Sequence, residues 1–378
     1  MAEYLTNTVD LTAVANAIRE KGGTSEQLAC PDGFVAAIQA IQTGVPLQIT
    51  VATNAGATVT ATKGSKTVSG TADTSGNCTL TVDEAGTWTV TVATASTTKT
   101  SDVVVGISNV DLLLADSVLN NNSWETIKKV SDAGQGENYW SVGDRKAITL
   151  NGTLGHLTLS NYTTYAFIIG FNHNASVEGA NRIHFQLAKT ALSGGKDVCF
   201  CDNQYISDSG WSNPGAGYFV MNANNTNSGG WERSQMRTNI CGTSLSSYSG
   251  TIIAVIPEEL RAVLKSVTKY TDNTGNSSDA SAVTTTTDYF FLLSEFEVFG
   301  SISYGNTNEK NKQAQYAYYS AGNSKIKYKH NGTSTAAYWW LRSPYAGNSY
   351  AFVSVGTDGT VSGITAGYSF GFAPGFCV

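Results

Sequence analysis

Residues 338–344 read Tyr-Trp-Trp-Leu-Arg-Ser-Pro, and this block decides how the C-terminal part of the chain folds. Three adjacent aromatic rings and a leucine are too apolar for a surface loop, so we expect Trp339 and Trp340 to lie in a core. Arg342 follows them, and a buried guanidinium needs an acidic or carbonyl partner. We therefore assign Trp339, Trp340, Arg342 and Pro344 to the scaffold of the domain.

Around this block, the pattern predicts one α+β domain over residues 108–378. Short apolar strands, such as residues 165–169 and 182–187, are separated by long loops of Asn, Ser and Gly. Asp358-Gly359 marks a hairpin. Strands in this arrangement with a few flanking helices fit neither a barrel nor a doubly wound sheet.

Three helices are expected in this domain. Pro257 suits a first helical position, and an apolar stripe follows it at helical spacing. Further helices are predicted over residues 231–240 and from Ser294 through Phe299. The stripe consists of Leu260, Val263, Leu264 and Val267.

Apolar residues recur at every second position in segments of residues 45–107, which is the periodicity of β-strands. Segments such as 78–82 and 88–92 alternate apolar residues with Thr, and Gly-containing turns separate them at regular spacing. This pattern predicts an immunoglobulin-like β-sandwich. The segment carries no cluster of ionisable groups, so we expect a spacer.

Residues 1–44 read as two short helices. Asp10 caps the first, Gly22-Gly23 ends it, and the second covers about residues 33–42. Two helices of this length cannot bury their apolar faces against each other alone. They either dock on a partner or on copies of themselves, or they cap the following domain.

The composition excludes several classes of protein. Charged residues make up 14% of the 378 residues, and 38 Gly with abundant Ser, Thr and Asn supply the polarity. Helix bundles and coiled coils do not have this composition. A net charge of −6 without a basic block argues against nucleic-acid binding. We expect no membrane span and no secretory signal.

The cysteines and histidines show no metal-binding pattern. The six cysteines are scattered and are expected to be free, mostly buried thiols. The four histidines form no His-x-x-x-His pair, and Cys199-x-Cys201 has no second Cys pair, so a zinc site is not predicted. We predict no metal and no cofactor.

The Trp-Leu-Arg-Ser-Pro block, the following hairpin and the closing Phe372-Ala373-Pro374-Gly375-Phe376 together resemble a C-terminal domain common in Firmicutes and their prophages. The resemblance covers most of residues 124–378. Residues 231–237 stand where the family has its Trp/Arg helix, and the Pro257 helix stands where it has its Glu-rich helix. It implies a C-type-lectin-like fold, related in outline to formylglycine-generating enzymes and to the variable proteins of diversity-generating retroelements. Ala373 departs from the family's usual Arg.

Residues 12–23 and 31–38 separately resemble an N-terminal segment of prophage tail proteins. The resemblance implies a tail-attachment segment, a spacer and a receptor-binding head, the organisation of a tail fibre or tail-tip adhesin. Proteins of this kind are commonly homotrimers, so we expect a homo-oligomer.

Signals for an enzyme are weak. The chain lacks a Gly-x-Ser-x-Gly elbow and a phosphate-binding Gly-rich loop. A glycosidase needs only two facing carboxylates, and a tail-associated hydrolase of wall polysaccharide is the alternative function. Its candidate acids are Asp288, Glu295, Glu297 and Asp358. The reactive cysteine pair of the formylglycine-generating enzymes is not matched.

Recognition fits the composition of the last residues better. Tyr supplies rigid contact area, and Ser, Asn and Gly supply adaptable hydrogen bonds. Val353, Val355 and Val361 are expected to face the core, so that Phe352 and Ser354 point outward. Phe370, Phe372 and Phe376 remain open between core and binding. The predicted ligand-binding residues are Tyr345, Asn348, Ser349, Tyr350, Phe352, Ser354 and Tyr368.

One further pattern concerns diversification. Residues 345–378 contain no Lys, Glu, Gln, Trp or Met, the residues that randomising the first two bases of an Asn codon ending in C cannot produce. Retroelements diversify proteins at such codons, so we include diversification as a hypothesis.

These observations predict a phage or prophage tail protein that binds a bacterial surface receptor, a glycan or a protein, without catalysis. Its expected location is the tail fibre or tail tip of the virion, after synthesis in the host cytoplasm. A bacterial surface adhesin is the third reading, and the absence of a signal peptide argues against it.

Overall fold

The computed structural model describes residues 47–84, 86–105, 110–111, 115–206 and 213–378, together with Asn16. The chain divides into two compact units, Met1–Leu114 and Ala115–Val378. The protein is multidomain and mostly β, with few helices in the described residues. The two helices predicted within residues 1–44 lie outside the described residues, apart from Asn16.

The first unit is built from two small sheets. The strands are β1 (Gln48–Ala52), β2 (Thr58–Lys63), β3 (Lys66–Thr71), β4 (Asn77–Thr81), β5 (Gly86–Ala93), β6 (Thr98–Val105) and β7 (Val110–Asp111). One sheet has the order β3-β2-β5-β6, and the other has the order β4-β1-β7.

The Thr-rich alternation produces this β-rich sandwich. In β5, for example, Trp88, Val90 and Val92 are fully buried, whereas the Thr residues between them are exposed or half-buried. Apolar side chains of both sheets form one core cluster with no charged member. Each segment that the alternation predicted is a strand, but β3 was missed because its polar side chains leave it without an apolar face.

The end of the first unit differs from the predicted boundary at residue 107. Val110 and Asp111 form β7, which pairs in parallel with Val51 and Ala52 of β1. This pairing attaches residues 110–111 to the sandwich, whereas the sequence placed them in the C-terminal domain.

The second unit combines several sheets with short helices. The strands of this unit are β8 (Arg145–Leu154), β9 (Leu157–Phe171), β10 (Ile183–Lys189), β11 (Val198–Cys199), β12 (Val267–Asp272), β13 (Val283–Asp288), β14 (Phe290–Phe291), β15 (Lys327–Lys329), β16 (Gly332–Ala337), β17 (Trp339–Pro344), β18 (Ala351–Val355), β19 (Val361–Thr365) and β20 (Gly375–Cys377). The largest sheet of the unit has the order β14-β20-β10-β9-β8.

The helices of this unit are short. The α-helices are α1 (Trp124–Asp132), α2 (Gly136–Tyr139), α3 (Ala175–Glu178), α4 (Ile252–Val255), α5 (Glu258–Arg261), α6 (Glu295–Phe299) and α7 (Ala317–Ser320). A π-helix covers Met236–Cys241, and 3-10 turns cover Leu119–Asn121, Ala280–Ala282 and Thr307–Asn311.

The three helix predictions had different outcomes. The helix predicted from Ser294 through Phe299 is α6, and the structure shows that Ser294 caps it in a reciprocal capping box with Glu297. The Pro257 helix is only α5, with Pro257 at its N-cap, and Val267 of the predicted stripe begins β12. The helix expected over residues 231–240 is reduced to the π-helix.

The predicted strands over residues 165–169 and 182–187 lie within β9 and, except for Arg182, within β10. Cys78, Cys199, Cys201, Cys241 and Cys377 are free and buried, as predicted, whereas Cys30 lies outside the described residues. None of the described helices is long and apolar enough to cross a membrane.

Candidate functional site

The candidate site is the turn that joins β17 to β18, residues 345–350. The strands β17, β18 and β19 form one antiparallel sheet with β18 in the centre. The turn is closed by the Tyr345 amide, which donates to the carbonyl of Ala351 at 3.0 Å. The Ala366 amide donates to the carbonyl of Tyr350 at 2.8 Å, which fixes the segment after β19 beside the turn.

Asn227 fixes this turn by hydrogen bonds, although it is 118 residues away from Tyr345 in sequence. Its Nδ2 donates to the carbonyls of Tyr345 at 3.1 Å, Asn348 at 2.7 Å and Ala351 at 3.0 Å. Its backbone amide donates to the carbonyl of Ser349 at 2.9 Å. Asn227 is 1% exposed, so these bonds form away from competing water.

The turn presents an aromatic side chain to solvent. Tyr350 is 50% exposed, and Gly347 and Ser349 are exposed beside it. Tyr345 is half-buried, with its ring edge-to-face against Tyr304 at a centroid distance of 5.0 Å. Gly363 gives this ring room, because a Cβ there would lie 2.7 Å from its Cδ1.

Tyr368, three residues after the end of β19, belongs to a second group of aromatic residues. It is half-buried, and its ring lies 5.9 Å from that of Phe370. Tyr338 stacks on Phe370 at 5.0 Å, and Tyr205 lies 6.1 Å from the same ring. Tyr205, Tyr338 and Tyr368 therefore form a half-buried cluster over Phe370, called the aromatic cluster below.

Sequence reasoning missed several of these residues. Asn227, Tyr205 and Tyr304 come from distant loops, and nothing local in the sequence connects them with the turn. Tyr338 adjoins Trp339 and Trp340, but both tryptophans are buried, so alternation along the strand gave no signal that Tyr338 is only half-buried.

Two of the predicted binding residues are buried. Phe352 and Ser354 are 0% exposed, so the expectation that they point outward is wrong. The assumed alternation requires a sheet with one solvated face, but every residue of β18 is buried. The other five, Tyr345, Asn348, Ser349, Tyr350 and Tyr368, are exposed or half-buried near one end of the sheet.

The three phenylalanines that the sequence left open belong to the core. Phe370 is 4% exposed, and Phe372 and Phe376 are fully buried. Phe376 stacks on Phe185 at 5.3 Å, which ties the last strand, β20, to β10.

Within β17, Arg342 has the partner that a buried charge requires. It forms a two-pronged ion pair with Glu297 of α6, with its Nη2 2.9 Å from Oε1 and its Nη1 bonded to Oε2. Its Nε donates to Thr271 Oγ1 at 2.8 Å. Trp339, Trp340 and Arg342 are fully buried, so their assignment to the scaffold is confirmed.

The pair extends into a cluster of four buried charges. Lys269 Nζ lies 3.0 Å from Glu297 Oε1 and 2.6 Å from Glu178 Oε2. Two carboxylates thus face two cations, and none of the four side chains is more than 2% exposed. We call Glu178, Lys269, Glu297 and Arg342 the ionic cluster.

Burial and charge act in opposite directions on this cluster. Burial raises the pKa of Glu178 to about 7, although the charge of Lys269 opposes the rise. Burial also acts to raise the pKa of Glu297, but the charges of Arg342 and Lys269 outweigh it and hold that pKa below its ordinary range. Glu297 is therefore the anion around which the cluster is built.

His173 brings a nitrogen close to the two carboxylates. One ligand atom each of His173, Glu178 and Glu297 lies within 4.8 Å of the others. The carboxylates are already paired with Lys269 and Arg342, so the geometry is that of an internal ion-pair cluster and does not fit a cation site. His173 stacks on Tyr316 at 3.7 Å, and burial lowers its pKa to about 3.

The acids considered for a hydrolase have structural partners. Asp288 accepts from Trp231 Nε1 at 3.0 Å and from Arg237 Nε at 2.6 Å. Glu295 accepts from the amides of Ser303 and Gly305, and Glu297 belongs to the ionic cluster. Asp358 is exposed in its turn, where it accepts from Thr360.

Comparison with known proteins adds one finding. Residues 203–378, less than half of the chain, match the family described as a domain of unknown function, DUF6273. The matched region contains the turn, the aromatic cluster and three members of the ionic cluster. No curated protein matches the chain.

Proposed function

We propose that this chain is a phage or prophage tail protein that binds a receptor on the bacterial surface through its second unit. The observation that carries the proposal is the turn 345–350, which exposes Tyr350 on a backbone fixed by Asn227. A rigid aromatic residue on a pre-organised turn loses little entropy on binding, as in other recognition loops.

The chemistry of the surface supports binding to an uncharged ligand. Between Tyr345 and Val378, Asp358 is the only charged side chain. A face of Tyr, Asn and Ser contacts a neutral glycan or an uncharged protein surface without desolvating a charge. The half-buried rings of the aromatic cluster offer further contact area of the same chemistry.

The remaining parts of the proposal follow from the resemblances. We assign the second unit a C-type-lectin-like fold and the sandwich an immunoglobulin-like spacer role. Residues 1–44 would attach the protein to the tail, and the assembled form would be a homotrimer in the virion. Diversification of residues 345–378 by a retroelement belongs to the same proposal, and a reverse transcriptase with a template repeat near the gene tests it.

Binding is favoured over hydrolysis of wall polysaccharide because Asp288, Glu295 and Glu297 are buried and already bonded within the protein. A glycosidase needs its two carboxyl groups free to face the scissile bond. Incubation of the purified protein with Firmicutes cell walls tests this choice. We expect no release of reducing sugar, and a sustained release would replace binding by hydrolysis.

The binding site is tested by sedimenting the full-length protein with intact Firmicutes cells of several strains. For a strain that retains the wild-type protein, Tyr350→Ala and Tyr345→Ala should reduce the bound fraction at least about tenfold. Leu192→Ala is the matched control, because Leu192 is 46% exposed outside the site. Equal loss in all three variants, or no loss in any, would contradict the proposed site.

A further inference from the structure

Two cysteine side chains face each other in the second unit. Cys199 ends β11, and Cys201 follows two residues later, so that both side chains lie on the same side of an extended segment. Their Sγ atoms are 3.9 Å apart. Both residues are buried, at 0% and 1% exposure.

The surroundings hold the two sulfurs in this position. Cys199 Sγ lies 3.6 Å from the carbonyl of Tyr328, which belongs to the neighbouring strand β15. Gly371 covers the same sulfur from another side, because a Cβ there would lie only 2.2 Å from it. The amide of Cys201 donates to His330 Nδ1 at 3.1 Å. The thiols are therefore confined next to each other.

We propose that Cys199 and Cys201 are a redox pair that closes to an intrachain disulfide on contact with a peroxide. In this reaction the two thiols lose two protons and two electrons, and the S–S bond forms. The peroxide O–O bond breaks, and hydrogen peroxide becomes two molecules of water. The sulfurs have to approach by roughly 2 Å to reach the bond length of a disulfide. The inference is independent of the proposed function.

The same surroundings make the reaction slow at neutral pH. The hydrogen bond with Cys199 and burial together raise the pKa of the Cys201 thiol far above its usual range. The thiolate is the attacking species, so the rate should rise with pH, by up to about tenfold per pH unit while the thiol stays mostly protonated.

Formation of the disulfide between Cys199 and Cys201 would shift residues that contact the aromatic cluster. Asp202 follows Cys201 directly, and its carboxylate accepts from Ser369 Oγ at 2.8 Å. The Tyr205 hydroxyl accepts from the amide of Tyr338 at 2.9 Å. A shift of residues 199–202 therefore reaches Ser369, which directly precedes the Phe370 ring of the aromatic cluster.

Thiol counting on the full-length protein tests the proposal. The reduced protein is treated with hydrogen peroxide, unfolded in denaturant, alkylated and digested for mass spectrometry. We expect the six thiols of the reduced chain to fall to four, with Cys199 and Cys201 unalkylated and their peptide lighter by about two hydrogen atoms.

Two variants separate this pair from other thiols. Cys241→Ser, which changes a buried free thiol elsewhere, should still lose two thiols on oxidation. Cys199→Ser should form no internal link at Cys201. Each of three results would overturn the proposal: six remaining thiols, a link between any other cysteines, or sulfinic acid at a single cysteine. The mass-spectrometric result for the wild-type protein is decisive even where a variant fails to fold.

Discussion

The two units of the chain bury different kinds of side chain. The core of the sandwich is an apolar cluster that includes Trp88 and Val90, and its ion pairs, such as Lys66 with Asp83, are at the surface. The second unit encloses four charges in its ionic cluster, with Arg342 and Glu297 fully buried. Burial of apolar surface thus stabilises the sandwich, whereas the second unit also depends on a specific set of buried ion pairs.

This difference determines how each unit responds to substitution. An apolar core tolerates changes that conserve volume. A buried charge network is strongly destabilised when one partner is lost, because the other charge is left without compensation. The second unit should therefore be the more sensitive to single polar substitutions.

The largest effect is expected for Arg342→Met. The substitution leaves Lys269 as the one cation of the ionic cluster beside Glu297 and removes the hydrogen bond to Thr271. We expect a loss of about 3–5 kcal/mol in the free energy of unfolding, measured by urea denaturation with tryptophan fluorescence. A loss below about 1 kcal/mol would show that the ionic cluster does not hold the unit.

A smaller effect is expected from His173 through pH. Because burial holds its pKa at about 3, the folded state binds fewer protons than the unfolded state between that value and about 6.5. Stability should therefore fall as the pH falls from about 6.5 toward 3. In His173→Phe, which keeps a ring against Tyr316, the loss between pH 7 and pH 4 should shrink by about 2–3 kcal/mol. Parallel pH profiles of variant and wild type would refute this role.

Lys327 offers the opposite case within the same unit. It is 1% exposed, and its ammonium has no hydrogen-bond partner in the described residues. Burial lowers its pKa to about 8, so keeping it charged at pH 7 weakens the fold. Lys327→Met should raise the free energy of unfolding at pH 7 by about 1–2 kcal/mol, with the gain shrinking as the pH rises above the folded pKa. A destabilised variant would mean that the ammonium is stabilised by the rings of Phe167 and Trp339.

The smallest effect is expected in the sandwich. Lys66 lies 2.9 Å from Asp83 and 3.0 Å from Glu84, but the three side chains are exposed and solvent screens them. Lys66→Met should leave the melting temperature of the full-length protein unchanged within error. A clear decrease would remove the contrast between the two units.

The sequence predicted the sandwich well because its information is local. Alternating Thr and apolar residues report directly which side chains face the core, and only β3, with its polar pattern, escaped. In the second unit, the short helix from Ser294 through Phe299 was predicted from an equally local pattern and is α6. The need of Arg342 for a partner was also visible in the sequence.

What the sequence could not supply was the identity of distant partners. Glu297 lies 45 residues before Arg342, and Lys269 and Glu178 come from still other elements. The burial of Phe352 was missed for a related reason, because both faces of β18 are buried and the local pattern does not show this. Asn227, which fixes the candidate turn, gave no local signal at all.

In the second unit, we infer separate roles for the ionic cluster, which stabilises the fold, and for the turn 345–350, which we propose binds the ligand. The most direct test is to measure, for Tyr350→Ala, both the dissociation constant for receptor-bearing Firmicutes cells and the free energy of unfolding. We expect a dissociation constant at least about tenfold higher, with the free energy of unfolding unchanged within about 0.5 kcal/mol. Unchanged binding, or a loss of binding that merely follows a loss of stability, would contradict it.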